Sequence, residues 1–330
     1  MDAVFLLASF AGILAGALLF TNAIEWAGHR LGLGAGATGS VLAAVGTALP
    51  ETLIPIVALI GGGAGSEDVA VGAIIGAPFL LATIAMALVG VSALIFRERR
   101  PQGRNLRADV ETLDRDLLFF CVLFAIGLAA GLVLPDGLGV PLAVAFACAY
   151  AVYVRATLRG GGDVQDEQEI GALYMDRTRA DGPTNGEIVL QLVVGLGAIV
   201  AGAHLFVEEL ISVAEHVGLE PLVLSLVLAP LATELPEKAN SFFWIRDGKD
   251  SLALGNITGA MVFQSTIPVA FGLALTDWDL NHFAVLSGVL GLAGGALAYW
   301  ALRLRGRFEA GPIVAWTALF GAFIVYVALA

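Results

Sequence analysis

One pattern occurs twice in this chain, as Thr47-Ala48-Leu49-Pro50-Glu51 and as Thr233-Glu234-Leu235-Pro236-Glu237. Each copy lies within an apolar run long enough to cross a bilayer, so each sets a carboxylate at membrane depth, where an ionised group is costly and is kept for a function. A proline inside a helix offers no N–H to the carbonyl four residues earlier, which deprives the Gly46 and Ala232 carbonyls of their helical donors and bends the chain there. Hydrocarbon cannot satisfy those carbonyls, but a bound cation can. In each copy the threonine precedes the glutamate by four residues, so hydroxyl, carbonyl and carboxylate share one side of the helix. The pattern therefore reads as two halves of a metal-ion site.

The composition agrees with a membrane setting. Of 330 residues, 58% are hydrophobic and 14% charged, with a mean hydropathy of +0.87, which excludes a soluble domain and points to an all-α polytopic membrane protein. Runs of apolar residues punctuated by Gly, Pro and charge predict ten spans, near 3–25, 36–62, 68–96, 116–134, 139–158, 187–213, 219–245, 250–276, 282–302 and 311–329. The first is read as a spanning helix and not a cleaved signal, because Asp2 heads it and no basic flank precedes it.

The charges sort by loop. Sixteen of the 17 Lys and Arg residues fall in the odd-numbered connections or at the span ends that border them and none in the even ones, with Lys238 alone deep inside a span. The positive-inside rule then puts the odd loops in the cytoplasm and both termini outside the cell membrane. The opposite side carries Asp2, Glu67, Asp68, Asp136, Glu215, Glu220, Asp277 and Asp279, an acidic face that either attracts cations or is merely solvated. Cys121 and Cys148 lie in apolar runs and make no metal spacing. Nothing in the sequence calls for a nucleic acid, a cofactor or an obligate protein partner; the expected surroundings are the lipid bilayer and inorganic cations.

The two copies of the motif belong to two related halves. A shift of 186 positions lays Gly16–Glu51 on Gly202–Glu237 without a gap, with 13 of 36 residues identical, and a shift of 183 aligns Ala70–Ala77 with Ala253–Ala260. The expected domains are a first five-helix repeat (1–158), a solvated cytoplasmic linker (159–186) and a second five-helix repeat (187–330). Five is odd, so the second repeat enters the membrane from the other side, and this inverted arrangement brings the two motifs face to face near the midplane. It is a transporter's architecture, able to supply an inward-open and an outward-open form.

At these residues the chain resembles the calcium/cation antiporter superfamily, whose prokaryotic sodium/calcium exchangers it is similar to. The family carries Gly-Thr-Ser-Leu-Pro-Glu in the second helix of each half and Gly-Asn-x-x-Gly-Ser-Asn in the third. Here the first element reads Gly46-Thr47-Ala48-Leu49-Pro50-Glu51 and Ala232-Thr233-Glu234-Leu235-Pro236-Glu237; the second reads Gly72-Ala73-Ile74-Ile75-Gly76-Ala77-Pro78 and Gly255-Asn256-Ile257-Thr258-Gly259-Ala260-Met261. The resemblance implies ten helices and antiport, not enzymatic chemistry. It departs where the ligand serine becomes Ala48 and Glu234, the third-helix serine becomes Ala77 and Ala260, and the next polar position becomes Leu81 and Gln264. The ligand set that remains is Thr47, Glu51, Thr233, Glu234, Glu237 and Gln264 with the carbonyls of Gly46 and Ala232.

Calcium accepts six to eight oxygens at flexible geometry, which such a set suits. Lys238 follows Glu237 and stands one turn beyond Glu234, so it either pairs with Glu234 or competes with a cation for the carboxylates. Three glutamates and one lysine leave a net charge of -2, which one divalent or two monovalent ions neutralise. The expected activity is exchange of Ca2+ for Na+ or H+. The alternatives are antiport of another divalent cation, an intramembrane hydrolase using paired glutamates, or a cation-binding receptor or scaffold. The hydrolase would need neither a repeat nor two matching helix breaks.

Overall fold

The computed structural model describes residues 2–30, 50–105, 109–135, 137–159, 171–176, 182–307 and 309–330; the side chains of Leu235, Pro236 and Glu237 lie outside that description. The described chain is helical: α1 (Asp2–Arg30), α2 (Pro50–Gly61), α3 (Ser66–Ile95), α4 (Val110–Val133), α5 (Gly139–Arg159), α6 (Asn185–Val217), α7 (Pro221–Arg246), α8 (Asp250–Gln264), α9 (Ile267–Leu275), α10 (His282–Ala298, continued by a π-helical turn over Tyr299–Leu304) and α11 (Ala310–Leu329). A lone antiparallel bridge joins Asn105 to Arg307.

Among the described residues eight helices are long and apolar enough to span a membrane, α8 and α9 counting together as Asp250–Leu275. The chain is an all-α, multi-pass membrane protein. The two remaining expected spans are α2 and α7, the motif helices. Within the described residues they contribute shorter apolar stretches, Pro50–Gly61 and Pro221–Glu234. Rim side chains such as Leu7, Val122, Val144 and Val193 are exposed, as befits surface bathed in lipid tails. Among the candidate spans the most enclosed are α3, with 83% of its apolar window buried, and α8–α9, with 67%, so these form the middle of the bundle.

Three helix starts are capped as the sequence allows, α10 by Asn281, which accepts from the Ala284 N–H. Thr184 and Glu187 form a reciprocal capping box on α6, and Asp109 accepts from the Glu111 N–H at the head of α4. α6 ends at Gly218, whose φ of 72° is a left-handed conformation that glycine adopts without a Cβ penalty.

The connections sort onto two faces. On one, Arg30 donates to the Pro183 carbonyl, Gln102 to the Gly248 carbonyl, and Arg303 pairs with Asp114 at 2.6 Å. On the other, the Asp277 N–H donates to Glu67, and Asn281 donates to Glu220 at 2.8 Å. Odd loops meet odd loops and even meet even, the separation that the charge pattern demands. The basic face also holds a buried lock: Arg100 and Asp250, both fully enclosed, pair at 2.9 Å, while the guanidinium donates further to the carbonyls of Gly103, Asn105 and Ile245.

The linker differs from the solvated connection expected of it. Within it, residues 171–176 are docked: Leu173 is buried with Ala23 and Ile188, and the N–H groups of Tyr174 and Met175 donate to Asn22 and Gln191. An apolar side chain and two waiting amide oxygens outweigh the polar composition around them.

Candidate cation site

The site forms where α7 crosses α3. A Cβ on Gly72 would meet the Leu222 carbonyl, and one on Gly76 the Leu226 carbonyl, so the two helices touch backbone to backbone along Gly72-x-x-x-Gly76. Pro230 offers no N–H to the Leu226 carbonyl. That carbonyl is the one resting on Gly76. Ser225 ties the same crossing by donating to the Val69 carbonyl at 2.6 Å.

This close approach brings Ala73 and Ala77 of α3 opposite Ala229, Pro230 and Thr233 of α7, and Glu51 and Ile54 of α2 close the space. The resulting cavity has about 10 Å³, room for roughly one water-sized sphere. Its polar members are Glu51 and Thr233, both buried. The Thr233 hydroxyl donates to the Ala229 carbonyl at 3.2 Å, leaving its lone pairs to face a cation. The α3 wall is alanine, as expected from a first half that has lost its third-helix hydroxyl.

Beside this cavity lies a fully enclosed polar cluster. Glu234 has no exposed surface; Gln264 donates to its Oε1 at 3.2 Å, and the Lys238 Nζ lies 3.3 Å from its Oε2. The Glu51 carboxyl is within hydrogen-bonding reach of Glu234. The structure thus joins carboxylates from both motif helices with the amide at the end of α8. A carboxylate so placed must be paired, protonated or cation-bound.

Four of the eight expected ligands, Glu51, Thr233, Glu234 and Gln264, are therefore brought together. Ala232 is half-buried on α7, which runs as one helix from Pro221 to Arg246. Gly46, Thr47 and the Glu237 side chain lie outside the described residues. Glu208 is well exposed and paired with His204, and the Asn22 amide is engaged by Gln191 and the docked linker. Among the described residues no group of three His, Cys, Asp or Glu side chains gathers as a metal cluster, so the donor set here mixes carboxylates with neutral oxygens.

Two features escape sequence reasoning. Asp116 on α4 is buried and accepts from Thr258 at 2.7 Å and from Tyr153 at 3.0 Å, tying α4 and α5 to the second-half glycine element of α8. In the sequence it stands at the head of an apolar run, directly after Asp114 and Arg115, and looks like an ordinary helix-end charge. The third helices are also both interrupted at the position that the 183-residue shift equates, α3 by a π-helical turn over Leu81–Ala85 and α8–α9 by the break after Gln264. Each interruption has a proline close by, Pro78 before the turn and Pro268 four residues after Gln264, whose carbonyl it leaves without a helical donor.

The model of the family described as sodium/calcium exchanger protein matches residues 1–159 and 187–329. The chain belongs to this sodium/calcium exchanger family. The unmatched stretch between the two blocks is the linker. CaxA of Alkalimonas amylolytica is 25% identical over 290 residues, 87% of this chain and 85% of that protein. The sodium/calcium exchanger MaX1 of Methanosarcina acetivorans is 39% identical over 74 residues, 22% of this chain and 21% of its own. Among solved structures, the H+/Ca2+ exchanger CAX superposes with a TM-score of 0.75 at 20% identity, covering 99% of this chain and 82% of that one. At that identity the likeness speaks for the fold.

Proposed function

We propose that this exchanger-family protein moves Ca2+ against Na+ or H+ across the cell membrane by alternating access, with the cation held at the midplane by Glu51, Thr233, Glu234, Glu237 and Gln264, and with Thr47 and the Gly46 and Ala232 carbonyls completing the shell. The observation that carries the proposal is the meeting of Glu51 and Glu234, from the two motif helices, inside the most enclosed layer of the bundle. A single divalent ion neutralises two carboxylates, and carboxylate, hydroxyl and amide oxygens suit the hard, flexible coordination of calcium. Another divalent cation of similar demands is the second substrate to try.

The same reading takes the chain as two inverted five-helix repeats, 1–158 and 187–330, with ten spans and both termini outside. The matched interruptions at Leu81 and Gln264 support the repeat, as does the α1–α6 crossing, where Gly16 and Gly202, equivalent by the 186-residue shift, are each pressed by the other helix. The segregation of odd and even loops supports the topology. Radiolabelled calcium uptake into proteoliposomes, first under a sodium gradient and then under a pH gradient, tests the assignment: uptake driven by one of them is expected, and uptake driven by neither refutes it.

A further inference from the structure

Lys238 is among the largest fully buried side chains of the molecule, and it is a cation placed beside a cation site. Its Nζ stands 3.3 Å from Glu234, the carboxylate that Glu51 and Gln264 also approach. The pair is formed at i and i+4 on one helix, so the ammonium travels with its carboxylate however α7 shifts against α2 and α8. A salt bridge needed only for packing would be poorly chosen, because a buried ion pair is no more stabilising than apolar residues of the same volume. The pair also sits within reach of the groups that would bind the transported ion, where each fixed charge changes how many mobile ones are required.

We propose that Lys238 is a built-in counter-cation of the transport site, which cancels the charge of Glu234 and thereby lowers by one the number of monovalent ions exchanged per calcium. The inference rests on the antiport reading given above. The fixed charge is supplied by the chain, so it crosses no barrier and is never released. The protein then needs mobile cations for its other carboxylates alone.

Three variants in proteoliposomes test it: Lys238→Met, Glu234→Gln, and the two combined. The probe is labelled calcium at its limiting inside-to-outside ratio, with a tenfold sodium gradient, or in a parallel set a tenfold proton gradient, and the potential clamped at zero by potassium and valinomycin. Each additional counter-ion multiplies the limiting ratio by one factor of the gradient, about tenfold. Lys238→Met is expected to raise the ratio about tenfold, Glu234→Gln to lower it about tenfold, and the combination to return it to the wild-type value, whatever the rates. Each single variant decides by itself if the other fails to fold. Equal ratios in wild type and any folded single variant would overturn the proposal and leave Lys238 a structural partner. Absence of calcium movement in the wild type under both gradients would instead overturn the antiport reading, and this inference with it.

Discussion

Replacing Arg100 by methionine removes the cation of the Arg100–Asp250 lock and leaves its shape nearly unchanged. Both side chains are fully enclosed, and the guanidinium serves Asp250 at 2.9 Å and three backbone carbonyls, those of Gly103, Ile245 and Asn105, at 2.8 to 3.1 Å. Taking one partner from a buried pair costs about 3–5 kcal/mol, since the remaining charge keeps its desolvation without its compensation. Gln102 still donates to the same Asp250 oxygen at 3.0 Å, which moderates the loss, so about 3–4 kcal/mol is expected. Asp250→Asn retains an acceptor and leaves the guanidinium its three carbonyls; it should cost less, about 1.5–3 kcal/mol. Arg100→Met combined with Asp250→Leu should cost less than the sum of the single changes, because neither charge is stranded. Equilibrium denaturation in detergent, followed by tryptophan fluorescence, measures all three. A loss below about 1 kcal/mol for Arg100→Met, the range of exposed ion pairs, would refute the claim that this lock is buried and ties the α3–α4 connection to α8.

Gly76→Ala forces a methyl group into the Leu226 carbonyl and should destabilise by about 1–3 kcal/mol while widening the cation site, read as a lower midpoint together with a raised KM for calcium. Asp109→Ala should cost about 1 kcal/mol as a lost helix cap; because the Thr112 hydroxyl holds the Asp109 carboxyl below its ordinary pKa, this contribution is present above the ordinary carboxylate range and fades as pH falls through the lowered value, which an acid titration of stability will show. A cysteine at Asp68 or Asp277 should be labelled by impermeant thiol reagents from outside the cell; labelling from the cytoplasm alone would reverse the topology. These two positions border one open pocket of about 460 Å³ with Glu67 and Asp279, so reagents have access to both.

The parts legible in the sequence are those set by local rules. A Pro-Glu pair in an apolar run, the sorting of Arg and Lys by loop, and a 186-residue echo each needed only spacing and charge; the structure sets Glu51, Thr233 and Glu234 near one another, with Gln264, to which the family resemblance pointed, beside them. Gly72 and Gly76 were visible as family motif residues, yet their work is to let α3 lie on the α7 backbone, which their four-residue spacing alone could have suggested. Arg100 was one of sixteen cations expected on the cytoplasmic side; nothing in its neighbourhood marked it as the one that would be buried, because its partner Asp250 is 150 residues away. The docked 171–176 segment escaped for the opposite reason, since a single Leu173 among polar neighbours decides its place. Pairing across such distances is a property of the assembled bundle and leaves no periodic trace.

The central claim is that a carboxylate from each motif helix binds the transported ion. It is tested most directly by comparing calcium flux of wild type and Glu51→Gln in matched proteoliposomes, with folding checked by elution and thermal midpoint. The exchange changes the charge of a buried group that lines the α2–α3–α7 cavity and keeps its shape. The account predicts gradient-driven flux in the wild type and flux at the protein-free background in a folded Glu51→Gln protein, with Glu237→Gln behaving alike. Near-wild-type flux from folded Glu51→Gln would contradict it.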